Sequence, residues 1–455
     1  MSEERHDTGP GITPGLADTQ AFAYLAAAEG RAEPGRGREP WLLESIADRE
    51  TFLAATVAYL RDGQGEQTLS HAAEWMLDNL HLAQQALRQV REDMPRSYYG
   101  QLPKLVDGPL RGYPRIYDIA QRLVMQSDAR LDMERVRRFV ALYQESQPLT
   151  IGEIWALPVM LRWGVLSVLT RAAGDVTGRA LAEAEMRASR GPAAPPLLHT
   201  LADDEVVGNC FTSLRTMANF DWRDFFESVS QVEQILRTDP ADVYRHMDRA
   251  TRDRYRGHVE ELALASGQSE RDVAAAAIEL AERAGADLAY APATRAADGA
   301  AAEDAAWTGF AAPPAAHVGY YLADEGRAEL ERRVAARFSA GSRLMRAILA
   351  HPARVYMGST AFLTAFLVLG AALYAATQGG SPWLVLLAVG VTFMPALAAA
   401  IATVDWIITL IVPPRTLPKL DLAEQSGAAA IPDALRSLVV VPALIGDAED
   451  VASLL

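Results

Sequence analysis

The residues best suited to binding chemistry lie in one irregular segment, residues 95–115. Four prolines and three glycines exclude a regular helix there, while aromatic residues and leucines argue against a free linker. One interpretation is a ligand-binding surface whose polar and aromatic groups are Arg96, Tyr98, Tyr99, Lys104 and Arg115. The other interpretation, which we favour, is a structural clamp packed onto helices. No catalytic, cofactor-binding or metal-binding residue is assigned from the sequence.

Composition argues against several other kinds of site. The net charge of -15 at pH 7 argues against a nucleic-acid surface, which needs a basic patch. Cys210 is the single cysteine, so the sequence supports neither a disulfide framework nor a cysteine-based zinc site. This cysteine usage suits the cytoplasm, and we expect no nucleic-acid partner.

Two apolar runs lie within residues 355–412. Residues 355–376 and 383–404 carry no charge, and each run is long enough for a helix to cross a hydrocarbon layer, which takes about 20 residues. Turn-forming glycine, serine and proline separate them at residues 377–382. The pattern predicts a helical hairpin that crosses a bilayer twice, in preference to a buried core hairpin of a soluble protein.

The charges that flank the hairpin predict its orientation. Residues 335–354 carry Arg337, Arg343, Arg346 and Arg354 and no acidic residue, whereas the turn is uncharged. By the positive-inside rule, both termini should be cytoplasmic and the turn should face outward. Asp405 follows the second run, so we expect the membrane-crossing part to end near it.

The chain before the hairpin is predicted to be helical, with no convincing strand. Residues 150–153 read Thr-Ile-Gly-Glu, a capping box in which Glu153 reaches back to the cap. The apolar run that follows, residues 154–169, invites a transmembrane interpretation. We predict a buried core helix instead, because Pro158 would kink the run and Arg162 would lie near the membrane centre.

These segments give the expected domain organisation. It comprises a mostly disordered tail (1–38), a cytoplasmic helical region (39–283), a low-complexity insertion (284–316), a basic juxtamembrane helix region (317–354), the transmembrane hairpin (355–412), and a linker with the start of a further domain (413–455). In the last part, residues 438–442 resemble a strand buried on both faces, and Asp447 can cap a following helix. Such a half-unit of an α/β domain predicts that this chain is the front end of a longer protein.

Several short motifs lie along the chain, at residues 73–79 (AEWMLDN), 91–96 (REDMPR), 98–99 (YY), 102–105 (LPKL), 107–109 (DGP), 112–115 (GYPR), 147–153 (QPLTIGE), 251–256 (TRDRYR), 317–322 (HVGYYL) and 438–442 (LVVVP). Together they resemble the motifs of the cyclic β-1,2-glucan synthases, which are large bacterial inner-membrane glycosyltransferases. The resemblance covers most of residues 68–455 and departs from the family in residues 284–316, which look expanded.

The resemblance implies a mainly α fold that leads into a GT-A-like α/β domain using UDP-glucose and a divalent metal. It also implies a location in the bacterial inner membrane, and as partners the lipid bilayer and the remaining transferase and phosphorylase-like domains. A GT-A centre needs an Asp-x-Asp type motif for the metal and the nucleotide diphosphate. No such motif occurs in this sequence, so we expect no cofactor in this chain and catalytic residues beyond it.

Two functional hypotheses follow. In the first, the chain is the membrane-anchoring and scaffolding part of a cyclic β-1,2-glucan synthase-like glycosyltransferase that polymerises glucose from UDP-glucose, and is inactive alone. In the second, it is a non-catalytic, membrane-tethered helical protein with a regulatory or assembly role. The half-unit of an α/β domain favours the first.

Overall fold

A computed structural model describes residues 16–34, 41–62, 70–178, 203–289, 313–412 and 417–421. Its α-helices are α1 (Leu16–Glu29), α2 (Trp41–Asp62), α3 (His71–Asp93), α4 (Arg96–Gln101), α5 (Arg115–Gln126), α6 (Met133–Ser146), α7 (Ile151–Thr177), α8 (Asp203–Asn219), α9 (Trp222–Val229), α10 (Gln231–Leu236), α11 (Arg249–Ser266), α12 (Glu270–Ala289), α13 (Val318–Ala323), α14 (Arg327–Arg333), α15 (Ala340–Ala350), α16 (Pro352–Thr377) and α17 (Pro382–Ile411). The mainly α fold is therefore confirmed.

The chain divides into two compact units. The first unit contains residues 1–238 together with 270–275, and the second contains residues 239–269 together with 276–455. Helices α1 to α10 belong to the first unit. Helices α11 and α13 to α17 belong to the second.

Part of the predicted disordered tail (1–38), residues 16–34, has defined structure in the first unit. Helix α1 packs on α6, and the ring of Phe22 lies 5.2 Å from that of Phe139. The chain then forms a two-residue strand, β1 (Ala32–Glu33), which pairs antiparallel with β2 (Lys104–Leu105). The prediction missed this helix because its buried face consists mainly of small side chains, namely Ala23, Ala26 and Ala27.

The core of the first unit is built around α7, which packs against α2, α3, α5 and α8. The predicted capping box is confirmed, because Thr150 accepts from the Glu153 N–H and the Glu153 side chain accepts from the Thr150 N–H. Trp163 is fully buried in the middle of the helix. The prediction of a buried core helix is therefore confirmed by its surroundings.

The second unit shifts the predicted boundaries of the low-complexity insertion. Helix α12 continues to Ala289, and residues Pro314–Ala316 form a 3₁₀ turn, so both ends of the predicted insertion at residues 284–316 are ordered structure. The alanines that suggested low complexity are good helix formers, which explains why α12 runs on. Residues 290–312, the predicted strand at 438–442 and the predicted cap Asp447 lie outside the described residues.

The predicted hairpin consists of α16 and α17, joined by a turn at residues 378–381. Helix α16 begins at Pro352, a favourable first residue because its missing N–H has no helical partner to lose. Helix α17 continues past Asp405 to Ile411 and contains Pro395. The two helices pack along each other.

Candidate functional site

The irregular segment at residues 95–115 contains a short helix, α4, followed by β2. Arg96 begins α4 and is exposed. Tyr98 is half-buried, and its hydroxyl donates to the backbone carbonyl of Gly152, 2.6 Å away. Tyr99 is only 2% exposed, and burial raises the pKa of its hydroxyl well above the usual range. Tyr98 and Tyr99 therefore attach the segment to the helical body.

Lys104 and Arg115, the two basic candidates at the end of this segment, are buried. The Lys104 ammonium lies 4.3 Å from the centroid of the Tyr99 ring, and burial lowers its pKa. Arg115 makes a two-pronged ion pair with Glu153, at 2.8 Å through Nε and 2.6 Å through a terminal nitrogen. The same guanidinium donates to the Pro148 carbonyl at 2.9 Å.

The electrostatics of this pair are those of a mutually stabilised buried couple. Burial alone would lower the pKa of Arg115, but the charge and hydrogen bonds of Glu153 outweigh it and raise the pKa. The Glu153 carboxylate also accepts a hydrogen bond from the Thr150 N–H in the capping box of α7. One carboxylate therefore caps the start of the helix and balances the charge of Arg115. The structure thus joins Tyr98 and Arg115 at the start of α7, and joins Tyr99 with Lys104. These contacts are those expected of a clamp, and the ligand-binding surface stays a prediction.

A second cluster, which the sequence prediction missed, lies in the second unit around Asp239. Its buried carboxylate accepts from the backbone N–H groups of Val243 and Tyr244 at 3.1 Å and Val318 at 2.8 Å. The His317 ring nitrogen Nδ1 lies 2.8 Å from the same carboxylate. Burial alone would raise the pKa of Asp239, but the bond to His317 and the backbone donors outweigh it and lower the pKa.

This cluster fixes the start of α13 to the chain that precedes α11. His317 and Asp239 are 78 residues apart, so no local signal in the sequence could have paired them. A side chain at Gly319 would collide with the hydroxyl of Tyr255, which explains the glycine in the motif at residues 317–322. The arrangement is a structural joint.

A third cluster connects α11, α14 and α15 through charges. Glu261 pairs with Arg327 at 2.6 Å and with Arg346 at 3.1 Å, and Arg346 also pairs with Glu331 at 2.6 Å. The neighbouring His258, whose ring nitrogen Nδ1 lies 3.6 Å from the carboxylate, makes the largest contribution to lowering the pKa of Glu261. Burial opposes it, but the two arginines add to it and lower the pKa of Glu261 to about 2. Arg346 lies in the basic stretch before the hairpin, but its guanidinium is paired with Glu261 and Glu331 of the same unit.

The membrane hairpin presents most of its apolar side chains outward. Phe362 is 73% exposed and Leu387 is 61% exposed, as expected for side chains that meet lipid. The buried side chains of α16 and α17 are small or medium-sized, and they are Thr360, Thr364, Ala396, Ala400 and Val404. Small side chains let transmembrane helices approach closely. Both helices are long and apolar enough to cross a membrane, and α7 passes the same criteria of length and composition.

The described residues contain no group of three or more histidine, cysteine, aspartate or glutamate side chains that could hold a metal ion. The sequence also lacks an Asp-x-Asp motif. No described residue is therefore assigned to the divalent metal that the resemblance implies for a full-length family member.

The geometry defines a membrane protein in which a two-helix hairpin follows a helical body. The chain is 27% identical over 456 residues to the cyclic β-(1,2)-glucan synthase NdvB of Rhizobium meliloti (strain 1021). The match covers 86% of this chain and 15% of the length of that relative. No family model matches the chain. The similarity to a cyclic β-1,2-glucan synthase confirms the resemblance drawn from the motifs.

Proposed function

We propose that this chain is the membrane-anchoring and scaffolding part of a cyclic β-1,2-glucan synthase-like glycosyltransferase, which polymerises glucose from UDP-glucose. The observation that supports it best is the match of 86% of the chain to only 15% of a glucan synthase. A segment that accounts for so small a share of an enzyme and lacks an Asp-x-Asp motif suits a supporting role.

In this proposal each unit has its own task. The hairpin of α16 and α17 anchors the chain in the bacterial inner membrane, with both termini cytoplasmic. The first unit supplies a rigid helical body, in which the clamp at residues 95–115 is closed by the Arg115–Glu153 pair. The transferase and phosphorylase-like domains of such an enzyme are the proposed partners, and they would hold UDP-glucose and the metal.

Labelled UDP-glucose tests the catalytic part of the proposal. Membranes that contain this chain alone should neither hydrolyse UDP-glucose nor incorporate its glucose into glucan above the background of vector membranes. Incorporation above that background would contradict the proposal, because it would place a complete active site in this chain.

A deletion in the relative tests the scaffolding part. Removing from NdvB the region that matches this chain should abolish glucan synthesis. The amount of the remaining enzyme in the membrane must be measured beside activity. Undiminished synthesis per enzyme molecule would show that the region has no scaffolding role and would favour a regulatory or assembly function.

A further inference from the structure

The amphipathic helix α15 has no described partner for its apolar side. It is 11 residues long, and none of its residues is buried. Leu344 is 64% exposed, Met345 36% and Leu349 49%. Together with the half-buried Ile348, these residues follow an i, i+1, i+4, i+5 spacing, so they form one apolar stripe along the helix. In water this stripe would be an unfavourable surface.

The position of α15 in the chain indicates what covers that stripe. The helix ends at Ala350, and α16, the first helix of the hairpin, begins at Pro352. Only His351 separates them, so α15 lies at the membrane surface wherever α16 enters the bilayer. The apolar stripe is therefore one residue away in the chain from the helix that meets lipid.

The polar side of α15 is fixed to the protein. Arg346 pairs with Glu261 and Glu331, and its guanidinium lies 3.5 Å from the centroid of the Phe338 ring. Successive helix residues are rotated by about 100°, which turns the centre of the apolar stripe well away from Arg346. These ion pairs thus limit the rotation of α15 and keep the stripe off the body of its unit.

The flanking charges indicate which lipids suit the site. Arg337, Arg343 and Arg354 are exposed, and among the described residues none of their side chains forms an ion pair. Residues 335–354 contain no acidic residue that could repel anionic headgroups. Basic side chains beside an apolar stripe are the combination that binds the headgroup layer of an anionic membrane.

We propose that α15 is an interfacial helix that inserts Leu344, Met345, Ile348 and Leu349 into the bilayer leaflet at which α16 begins. Arg337, Arg343 and Arg354 bind anionic lipid headgroups there, while Arg346 holds the helix to Glu261 and Glu331. Lipid contact is thereby extended from the hairpin to a helix that touches α11 and α14. This proposal does not depend on the glucan synthase function, since it concerns only the membrane contact.

Spin labels on the two sides of α15 test the insertion. The full chain is reconstituted into nanodiscs of anionic lipid with Met345→Cys or, as the matched control on the opposite side of the helix, Ala347→Cys. Both positions are exposed. Cys210 stays in place because it is fully buried and burial raises its pKa, which keeps it unreactive in the folded chain. We expect oxygen, which dissolves in lipid, to reach the label at position 345 better than a water-soluble paramagnetic reagent does, and the reverse at position 347.

Two results would overturn the insertion. Equal access of the water-soluble reagent to both labels would show that the stripe remains in water. Protection of position 345 from both reagents would show that a protein surface, such as a second copy of this chain, covers it.

The lipid preference is tested with zwitterionic nanodiscs and arginine variants. In anionic lipid, we expect Arg343→Gln or Arg354→Gln to lower the ratio of membrane-inserted to water-exposed α15 by about fivefold. This factor corresponds to the binding free energy that one basic residue contributes near an anionic membrane surface. The same variants should have little effect in zwitterionic lipid, and Arg332→Gln in α14 serves as the exposed control. Insertion that is the same in both lipids and in all variants would overturn the role of the anionic headgroups.

Discussion

Helices α7 and α17 are both long and apolar, both contain an internal proline, and both pass the criteria for a membrane span. Their surroundings differ completely. In the most apolar 18-residue window, 83% of α7 is buried within the protein, against 11% of α17. Trp163 of α7 is fully buried, whereas Trp406 of α17 is 66% exposed.

The difference lies in where each helix carries its polar groups. Helix α7 begins with the buried Glu153, paired with Arg115, and carries Arg162 in its middle, 5.9 Å from the centroid of the Trp222 ring. Helix α17 keeps its single acidic residue, Asp405, close to its end. Buried polar groups need partners, which neighbouring helices supply and hydrocarbon does not. Apolar composition therefore indicates that a helix is shielded from water. The positions of its polar groups indicate whether protein or lipid surrounds it.

Topology reporters give the largest expected difference between the two helices. Fusions at Gln147 and Gly178, before and after α7, should both report the cytoplasm, because a helix that stays in the protein does not change sides. A fusion at Gly380 should report the periplasm and one at Lys419 the cytoplasm. Opposite signals from Gln147 and Gly178 would make α7 a span, and reversed signals from Gly380 and Lys419 would overturn the orientation of the hairpin.

Removing the buried ion pair between Glu153 and Arg115 should strongly destabilise the first unit. Glu153→Ala leaves Arg115 buried without its carboxylate, which costs about 3–5 kcal/mol. The measurement is the rate at which the buried thiol of Cys210 is labelled by a thiol reagent in increasing urea, with the full chain in detergent. Glu134→Ala is the control, since that side chain is 71% exposed and lies 3.9 Å from Arg137. Equal labelling curves for both variants would contradict the structural role of the pair.

The clamp should behave as part of the core that encloses α7. Tyr99→Ala removes a side chain that is 2% exposed, and truncation of a buried aromatic residue typically costs about 3–5 kcal/mol. We expect faster labelling of Cys210 in this variant, whereas Tyr98→Phe, which keeps the ring and loses the hydroxyl that donates to Gly152, should change the rate little. Unchanged stability together with weaker glucan synthesis in a full-length enzyme would identify the segment as a binding surface instead.

The smallest expected effect concerns the charges that hold α15 beside the hairpin. The pKa of Glu261 is lowered to about 2 from an ordinary value of 4.5, so its contribution to stability is present above pH 4.5 and is lost as the pH falls towards 2. Amide hydrogen exchange in α11 should accelerate over that range. Because Glu261 is 44% exposed, the change should be modest. Glu261→Gln should remove this pH dependence, and an unaltered profile in the variant would assign it to another group.

The sequence predicted those features that depend on neighbours along the chain. The capping box at residues 150–153 joins groups three residues apart, and the buried face of α6, formed by Val136, Phe139, Val140 and Tyr143, follows helical spacing. Local spacing also misleads at two places. Phe225, Val229, Val232 and Leu236 follow the spacing of one helix, but the chain forms two, because Ser230 ends the first and caps the second. The alternating charges of residues 251–256 are typical of a solvated helix face, yet Arg252 and Arg256 are buried.

Contacts between distant residues were beyond the reach of the sequence. Asp239 and His317 are 78 residues apart, and the sequence around neither residue indicates that the two side chains will meet. The burial of Lys104 and Arg115 likewise depends on Tyr99 and Glu153, so a basic and aromatic segment could be either a clamp or a ligand surface. Periodicity identifies which side of a helix is buried, but not which distant side chain covers it.

The pairing of β1 with β2 has a consequence for the order in which the chain folds. Ala32 pairs with Leu105, and α1 packs on α6, which ends at Ser146. During synthesis α1 leaves the ribosome before α6, and it has no docking surface until more than a hundred further residues have followed. Helix α1 is therefore secured only after α6 has been made, and nascent chains that stop before residue 146 should present α1 to chaperones and proteases.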